Sequence, residues 1–402
     1  MKTKEMKHLL CVVSMLAAGI AVAADFYVNN RTGSDENDGR AEGRAFATFS
    51  KAMPNVRAGD TLHVAPGKVY HESIIVRHCG TPESPVVIKG NGAVLSGLSP
   101  LPAVEWEDKG NGLFRFPYAS SFGNPQVTLG PCKDRIVTVV ASPENLKAGE
   151  ATWRRKDGFY FRVAEGKSLE DYDLHGFVSR GPVYHSGVYL ENKDFVTVED
   201  VTSECFANDG FNVQLSSHGL VFRNVVGRYN GDDGFSVHED VQACVYNGMF
   251  HHNDFGIQDV NASQTLFFGC SAVSNRTCGV DLQGGLRVFR GLRVLDNRHD
   301  QICVHGSKAD HYGIPRTDPM LRGLAYFTDT AVEGGNGMGL YVDTGAAISA
   351  RNLSIRNVEC GLVVQGEASI VNGTVSGCRK RDVDTVAAKS FVSTGFPKEK
   401  TP

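Results

Sequence analysis

Between residues 188 and 377 short runs recur in which a glycine precedes an apolar, a polar and usually another apolar residue. The glycines stand at 210, 234, 256 and 279, leading Phe211-Asn212-Val213, Phe235-Ser236-Val237, Ile257-Gln258-Asp259 and Val280-Asp281-Leu282, and Gln301 takes the same slot ahead of Ile302-Cys303-Val304. The series resumes at Gly339-Leu340-Tyr341-Val342 and Gly361-Leu362-Val363-Val364. Alternation with a period of two is that of a strand with one buried face. A repeat of 22 to 24 residues is too short for paired helices and lacks the spacing of leucine-rich repeats. It predicts an all-β fold, a right-handed parallel β-helix in which each coil lays a strand on the last. Phe211, Phe235, Ile257 and Val280 are expected to form one inward column. The longer step from Gln301 to Gly339 places a loop over 305–321.

A second register runs through Asn230, Asn275, Asn297 and Asn357, each four residues before its anchor. Asparagine tolerates a left-handed turn and can bond amide to amide between coils, so these four are read as an internal ladder. Asp259 falls in an inward slot, where a carboxylate needs a partner.

The rest of the chain divides around these coils. Residues 1–24 combine Lys2, Lys4 and Lys7 with an apolar run and Ala21-Val22-Ala23, the pattern of a cleavable signal peptide that sends the mature chain to the periplasm or outside the cell. Residues 25–97 read as an N-terminal cap and first coils with a capping helix over about 48–56. Residues 98–187 read as a β-rich insertion in which Phe159-Tyr160-Phe161 suits a strand. Residues 188–388 are the coils, and 389–402 a poorly ordered polar tail.

Composition narrows the partners. The formal charge of −4 becomes about −6 without the leader, and the longest basic run is Arg379-Lys380-Arg381, which disfavours nucleic acid. No apolar stretch is long enough to span a bilayer. Ten cysteines, nine of them beyond Cys11 in the leader, include no metal-binding spacing and read as small buried hydrophobes. A single copy acting on a polysaccharide fits best.

The N-terminal run carries more specific signals: Gly33-Ser34-Asp35, the capping helix, Gly59-Asp60-Thr61, Pro66-Gly67-Lys68-Val69-Tyr70, then Ser84-Pro85-Val86-Val87-Ile88. This stretch resembles the opening of bacterial pectate-lyase-like β-helix proteins, which implies the same fold and action on a polysaccharide.

Candidate chemistry concentrates on three successive coils, at Asn208-Asp209, Asp232-Asp233 and His251-His252-Asn253-Asp254. Equivalent positions on stacked strands lie about 4.8 Å apart, so these carboxylates either share protons or hold a cation. Asp209, Asp232, Asp233 and Asp254 are therefore candidate ligands for calcium. Asp-Gly is also ordinary turn chemistry. The cluster resembles the acidic calcium site of family-nine pectate lyases, where a nearby lysine is the base. Here no lysine lies between Lys193 and Lys308. The base would be Arg276, His238 or Lys308, in a metal-assisted β-elimination that cuts a uronate-containing glycan. His252, Asp281, Gln283 and His305, with the outward polar stripe, would bind the sugar chain. The alternatives are an inverting hydrolase resembling the polygalacturonases and a non-catalytic glycan-binding β-helix.

Overall fold

The computed structural model describes residues 23–118, 123–131, 133–307 and 321–395. The leader up to residue 22 and Lys308 lie outside them. Ten strands stack in parallel into one sheet, from Ile74–Ile75 through Val188–Glu191, Phe211–Gln214, Asp233–Val237, Phe255–Val260, Cys278–Gln283, Asp300–His305, Met338–Val342 and Cys360–Val364 to Arg381–Asp384. A 17-stranded sheet closes the other sides of the coil. Its long strands turn a corner midway: Val196–Glu204 pairs with Ser216–Arg223 through Thr197 to Glu199, and with Val226–Arg228 through Thr202 to Glu204. Asp200 at that corner has φ 54°, a left-handed conformation that Asp and Asn tolerate.

The register is the one the repeat predicts. Phe211 pairs with Phe235, Phe235 with Ile257, Ile257 with Val280 and Val280 with Ile302, and all five are fully buried. Ile302 then pairs with Leu340, and Ser307 bridges Leu321, while most of the expected loop, residues 308–320, lies outside the described residues. No helix interrupts the described coils between 188 and 377.

Three of the four predicted asparagines form the ladder, and one residue was missed. Asn230 donates to Asn253 Oδ1 (3.0 Å), Asn253 to Asn275 (3.3 Å), Asn275 to Asn297 (2.8 Å) and Asn297 to Gln301 Oε1 (2.9 Å). Asn253 sits three residues before its glycine, which hid it from a search at offset four. Asn357 does not join. It occupies the left-handed corner itself (φ 58°), whereas on the ladder coils that conformation belongs to the preceding residues Tyr229, His252, Ser274 and Asp296.

The ladder also accounts for the glycine anchors. A Cβ on Gly210, Gly234, Gly256 or Gly279 would stand 2.6 to 2.8 Å from the amide nitrogen of Asn230, Asn253, Asn275 or Asn297. Where Gln301 replaces glycine, its own amide ends the series.

The capping helix is shorter than expected, Phe49–Ala52: Glu72 accepts the backbone N–H groups of Phe49 and Ser50 at its start (2.8 and 2.6 Å), and Pro54, which has no N–H to continue the helix, follows its end. The insertion is two antiparallel sheets around a separate apolar core of Trp106, Phe116, Phe159 and Phe161, with Gly158–Arg162 the expected strand. Ser390–Thr394, placed by the sequence in a disordered tail, instead adds a last parallel strand on Glu367–Ser376. The eight described cysteines are all free, and Cys205, Cys270, Cys278 and Cys303 are buried.

The inward Asp259 has a partner. Arg287, itself fully buried, donates from Nη2 to Asp259 Oδ1 (2.6 Å) and to Ser263 Oγ (2.6 Å), and Ser263 and Thr265 both donate to the carboxylate. Removing one partner of such a pair strands the other charge in an apolar interior. Asp259→Ala is expected to cost about 3–5 kcal/mol in urea unfolding, and pairing it with Arg287→Met to recover most of that loss.

Candidate functional site

The acidic positions stack as their offsets predict. Asp232 N–H donates to Asn208 O (2.9 Å) and Asp254 N–H to Asp232 O (2.7 Å), while Gly210 N–H donates to Asp233 O (2.8 Å). The side chains then diverge. Asp209, Asp232 and Asp233 line a groove of about 430 Å³ with Tyr184, His185, Tyr189, Asn212, His238 and, from the insertion, Gly123 and Arg155. Asp254 faces a different hollow, where Thr277 Oγ1 donates to it (2.6 Å) and Asn124 Nδ2 reaches it at 3.4 Å.

Within the groove the three carboxyls have unlike surroundings. Asp209 is buried and accepts from Asn208 Nδ2 (2.7 Å), Asn212 Nδ2 (2.5 Å) and the Asp233 N–H (3.1 Å). Asp233 is buried, accepts from Ser236 Oγ at Oδ2 (2.6 Å) and has no hydrogen-bond partner at Oδ1 among the described residues. Ser236 Oγ is also 2.9 Å from His238 Nε2, so a hydrogen-bonded chain leads from Asp233 to His238. Asp232 is the half-buried one, open to a ligand.

Burial, and secondarily the neighbouring carboxylates, raises Asp209 and Asp233 well above the ordinary carboxylate range. Burial first, and then Asp254, pushes Asp232 up to about 6, while Arg276 pulls it down. Burial also pushes His185 down to about 4, leaving a neutral imidazole.

Calcium fits these residues poorly. Among the described residues no three His, Cys, Asp or Glu side chains are grouped as metal ligands, and Asp254 lies outside the groove. The four carboxylates therefore do not converge on one coordination sphere.

Of the two described bases considered, His238 is in the groove and Arg276 is not, and Lys308 lies outside the described residues. Arg276 braces the corner, donating to the carbonyls of His252 (3.2 Å), Asn230 (3.0 Å) and Gly231 (2.9 Å), with Nε 4.0 Å from Asp254. His252 is exposed and stacks on Tyr229, ring centroids 4.7 Å apart, because its left-handed backbone turns it off the groove. Asp281, Gln283 and His305 form a second cluster farther along the same face. There Gln283 Nε2 donates to Asp281 (2.8 Å) and His305 Nε2 lies 3.5 Å from it.

Tyr184, His185, Tyr189 and Arg155 escaped the sequence reading. For Tyr189 a signal existed, since Gly187-Val188-Tyr189-Leu190 is one more anchor, 23 residues before Gly210, and Tyr189 pairs with Asn212. Arg155 had none, because the insertion has no repeat to align.

A family profile described as "Right handed beta helix region" matches residues 186–313. The fold is a right-handed parallel β-helix. Similar solved structures include the complex of XylC with xylose, at 13% identity and TM-score 0.61, covering 89% of this chain and 69% of that one. A glycoside hydrolase follows at 11% and 0.54, covering 93% and 96%. Pectate lyase Pel9A stands at 13% and 0.54, covering 95% and 83%. No curated protein matches the chain. The pectate-lyase-like expectation thus holds for the fold of this β-helix. Among its described residues no helix is long and apolar enough to cross a membrane.

Because Asp232 binds its proton more tightly folded than unfolded, its contribution to stability is fully present below the unfolded value near 3.8 and is lost as pH rises through about 6. Asp232→Asn is expected to flatten that fall. At pH 8 the variant should unfold at higher urea than the parent, by about 1–3 kcal/mol.

Proposed function

We propose that this β-helix hydrolyses glycosidic bonds in an extended glycan laid along the outward face of the ten-stranded sheet. The observation that carries the reading is a single groove in which two consecutive residues of one coil supply carboxyls of unlike acidity, Asp233 held protonated by burial and Asp232 open and titrating at about 6. Carboxyls driven apart in this way divide the roles of acid and base.

In this reading Asp233 gives a proton to the leaving glycosidic oxygen as the bond to the anomeric carbon breaks. Ionised Asp232 takes a proton from the water that attacks that carbon. The Ser236–His238 chain returns a proton to Asp233. Asp209, bonded on both oxygens, keeps the corner in place, and the exposed Tyr184, backed by Tyr189, offers a ring for a sugar to stack on. Export through the leader, and action as a single copy, suit a substrate outside the cell.

A second reading, β-elimination on a uronate as the sequence suggests, is favoured by Arg155 and the neutral His185 in the same groove. They would supply a cation for the uronate carboxylate and an uncharged base.

The purified chain, screened on neutral and uronate-rich polysaccharides with and without chelator, is expected to release reducing ends without the ultraviolet absorbance of an unsaturated sugar. Turnover should rise with pH through about 6, and Asp232→Asn should lower it by roughly 10²-fold or more and remove that limb. Unsaturated products would instead select β-elimination, and retention on a glycan without turnover would leave only a binding protein.

A further inference from the structure

A second hollow of about 1010 Å³ opens beside the groove, on the other side of Gly123 and Asn124, between the insertion and the corners of the coils. Its charge is opposite to the groove's. Arg154, Arg276 and Arg298 line it with one carboxylate, Asp254, which is already engaged by Thr277, Asn124 and Arg276. Arg276 is likewise committed, to three backbone carbonyls.

Arg298 is not. It is the next coil's counterpart of Arg276, its N–H donating to Asn275 O (2.9 Å) as that of Arg276 donates to Asn253 O (2.8 Å). Its guanidinium is exposed and makes no hydrogen bond or ion pair among the described residues. Across the hollow the half-buried Trp153 has an indole N–H with no acceptor among the described residues, and the exposed Arg154 makes one bond, to Ala141 O (3.2 Å). An uncommitted guanidinium, a second cation and an aromatic ring form the chemistry of a site for an anionic sugar.

Resting on the glycan-cleaving reading above, we propose that this cleft is a subsite for a carboxylate- or sulfate-bearing sugar, with Arg298 the specificity-determining residue and Trp153 the platform. The bond that is cut then lies over Asp232 and Asp233, between sugars that carry no charge there. Asp232 and Asp254 occupy consecutive coils, about 4.8 Å apart, close to the length of one pyranose unit. A charged unit placed over the groove would meet three carboxyls, whereas one placed three coils on, about 14 Å or roughly three sugar units away, meets the uncommitted Arg298 with Arg154 beside it. The cleft thereby selects a mixed glycan and sets where along it the cut falls.

The test is a titration of the Asp232→Asn chain, which holds ligand without turning it over, followed by tryptophan fluorescence. The probes are D-glucuronate, D-galacturonate and D-glucose 6-sulfate, with D-glucose and D-galactose as neutral controls. At least one anionic sugar is expected to shift the emission, with the neutral sugars much weaker. Arg298→Gln should weaken that binding about ten-fold, in keeping with the loss of one charge-assisted hydrogen bond. Trp153→Phe should abolish the signal while calorimetry still detects binding. The uronate and sulfate arms tell which anion is preferred.

No response to any anionic sugar, equal response to the neutral ones, or an unchanged affinity in Arg298→Gln would overturn the proposal. So would a single-stranded oligonucleotide that binds with the same dependence on Arg298, since it would assign the cleft to nucleic acid. Arg298-dependent binding in a chain whose parent cuts no glycan would sink the hydrolytic reading alone.

Discussion

The coil is held in register by one repeated contact, a buried asparagine amide pressed against the anchor glycine of the preceding coil. Each amide from Asn230 to Asn297 bonds to the next along the axis, and each closes on a strand start where a Cβ would collide. Buried amides of this kind must be satisfied by one another or destabilise the core. A coil that slipped by one residue would break the chain of bonds and turn its apolar column outward together. Glycine is thus required at these anchors by close approach and not by backbone conformation, since none of the four has a positive φ.

The acidic groove follows from that contact. Asp233 directly precedes the anchor Gly234, and Asp209 precedes Gly210, so the ladder that fixes the glycines also fixes the carboxyls one coil apart. Hydrogen bonds from Asn212 and Ser236, which point outward from the strands just begun, tie Asp209 and Asp233 down. The insertion then roofs the corner. Gly123 and Gly231 pack so closely against Ala207 that a Cβ on either would stand within 2.2 Å of its carbonyl oxygen. Water is displaced from the carboxyls, and their acidity falls. The site is built from strand starts on a rigid stack, which suits it to chemistry that needs fixed distances.

The Gly123–Asn124 segment also divides two hollows of opposite character, carboxyls on one side and guanidiniums on the other. Both draw on the same corner of the coil, and they differ because the turn residues change from Asp232 and Asp254 to Thr277 and His299 as the coils advance. A solenoid offers this freedom at little energetic cost. Each coil contacts only its neighbours, so a corner can be recast from one coil to the next while the core column stays the same.

What the sequence alone determined is whatever repeats. The period, the inward column from Phe211 to Leu362, three rungs of the ladder and the stacking of Asp209 with Asp233 were all legible, because a strand's faces alternate and a coil returns each offset to the same place. The partner of Asp259 was not legible, because Arg287 comes from a strand on a different side of the coil and no local pattern links the two. Nor was the direction of a side chain at a corner. Asp254 shares its offset with the groove residue Asp232, and His252 stands two residues before it, yet a left-handed backbone at His252 and the Thr277 and Asn124 contacts of Asp254 turn them away. The insertion's share of the site, Arg155 on the groove and Trp153 on the cleft, belonged wholly to the tertiary structure. A segment outside the repeat has no offset to read, and where it docks depends on packing between distant parts of the chain.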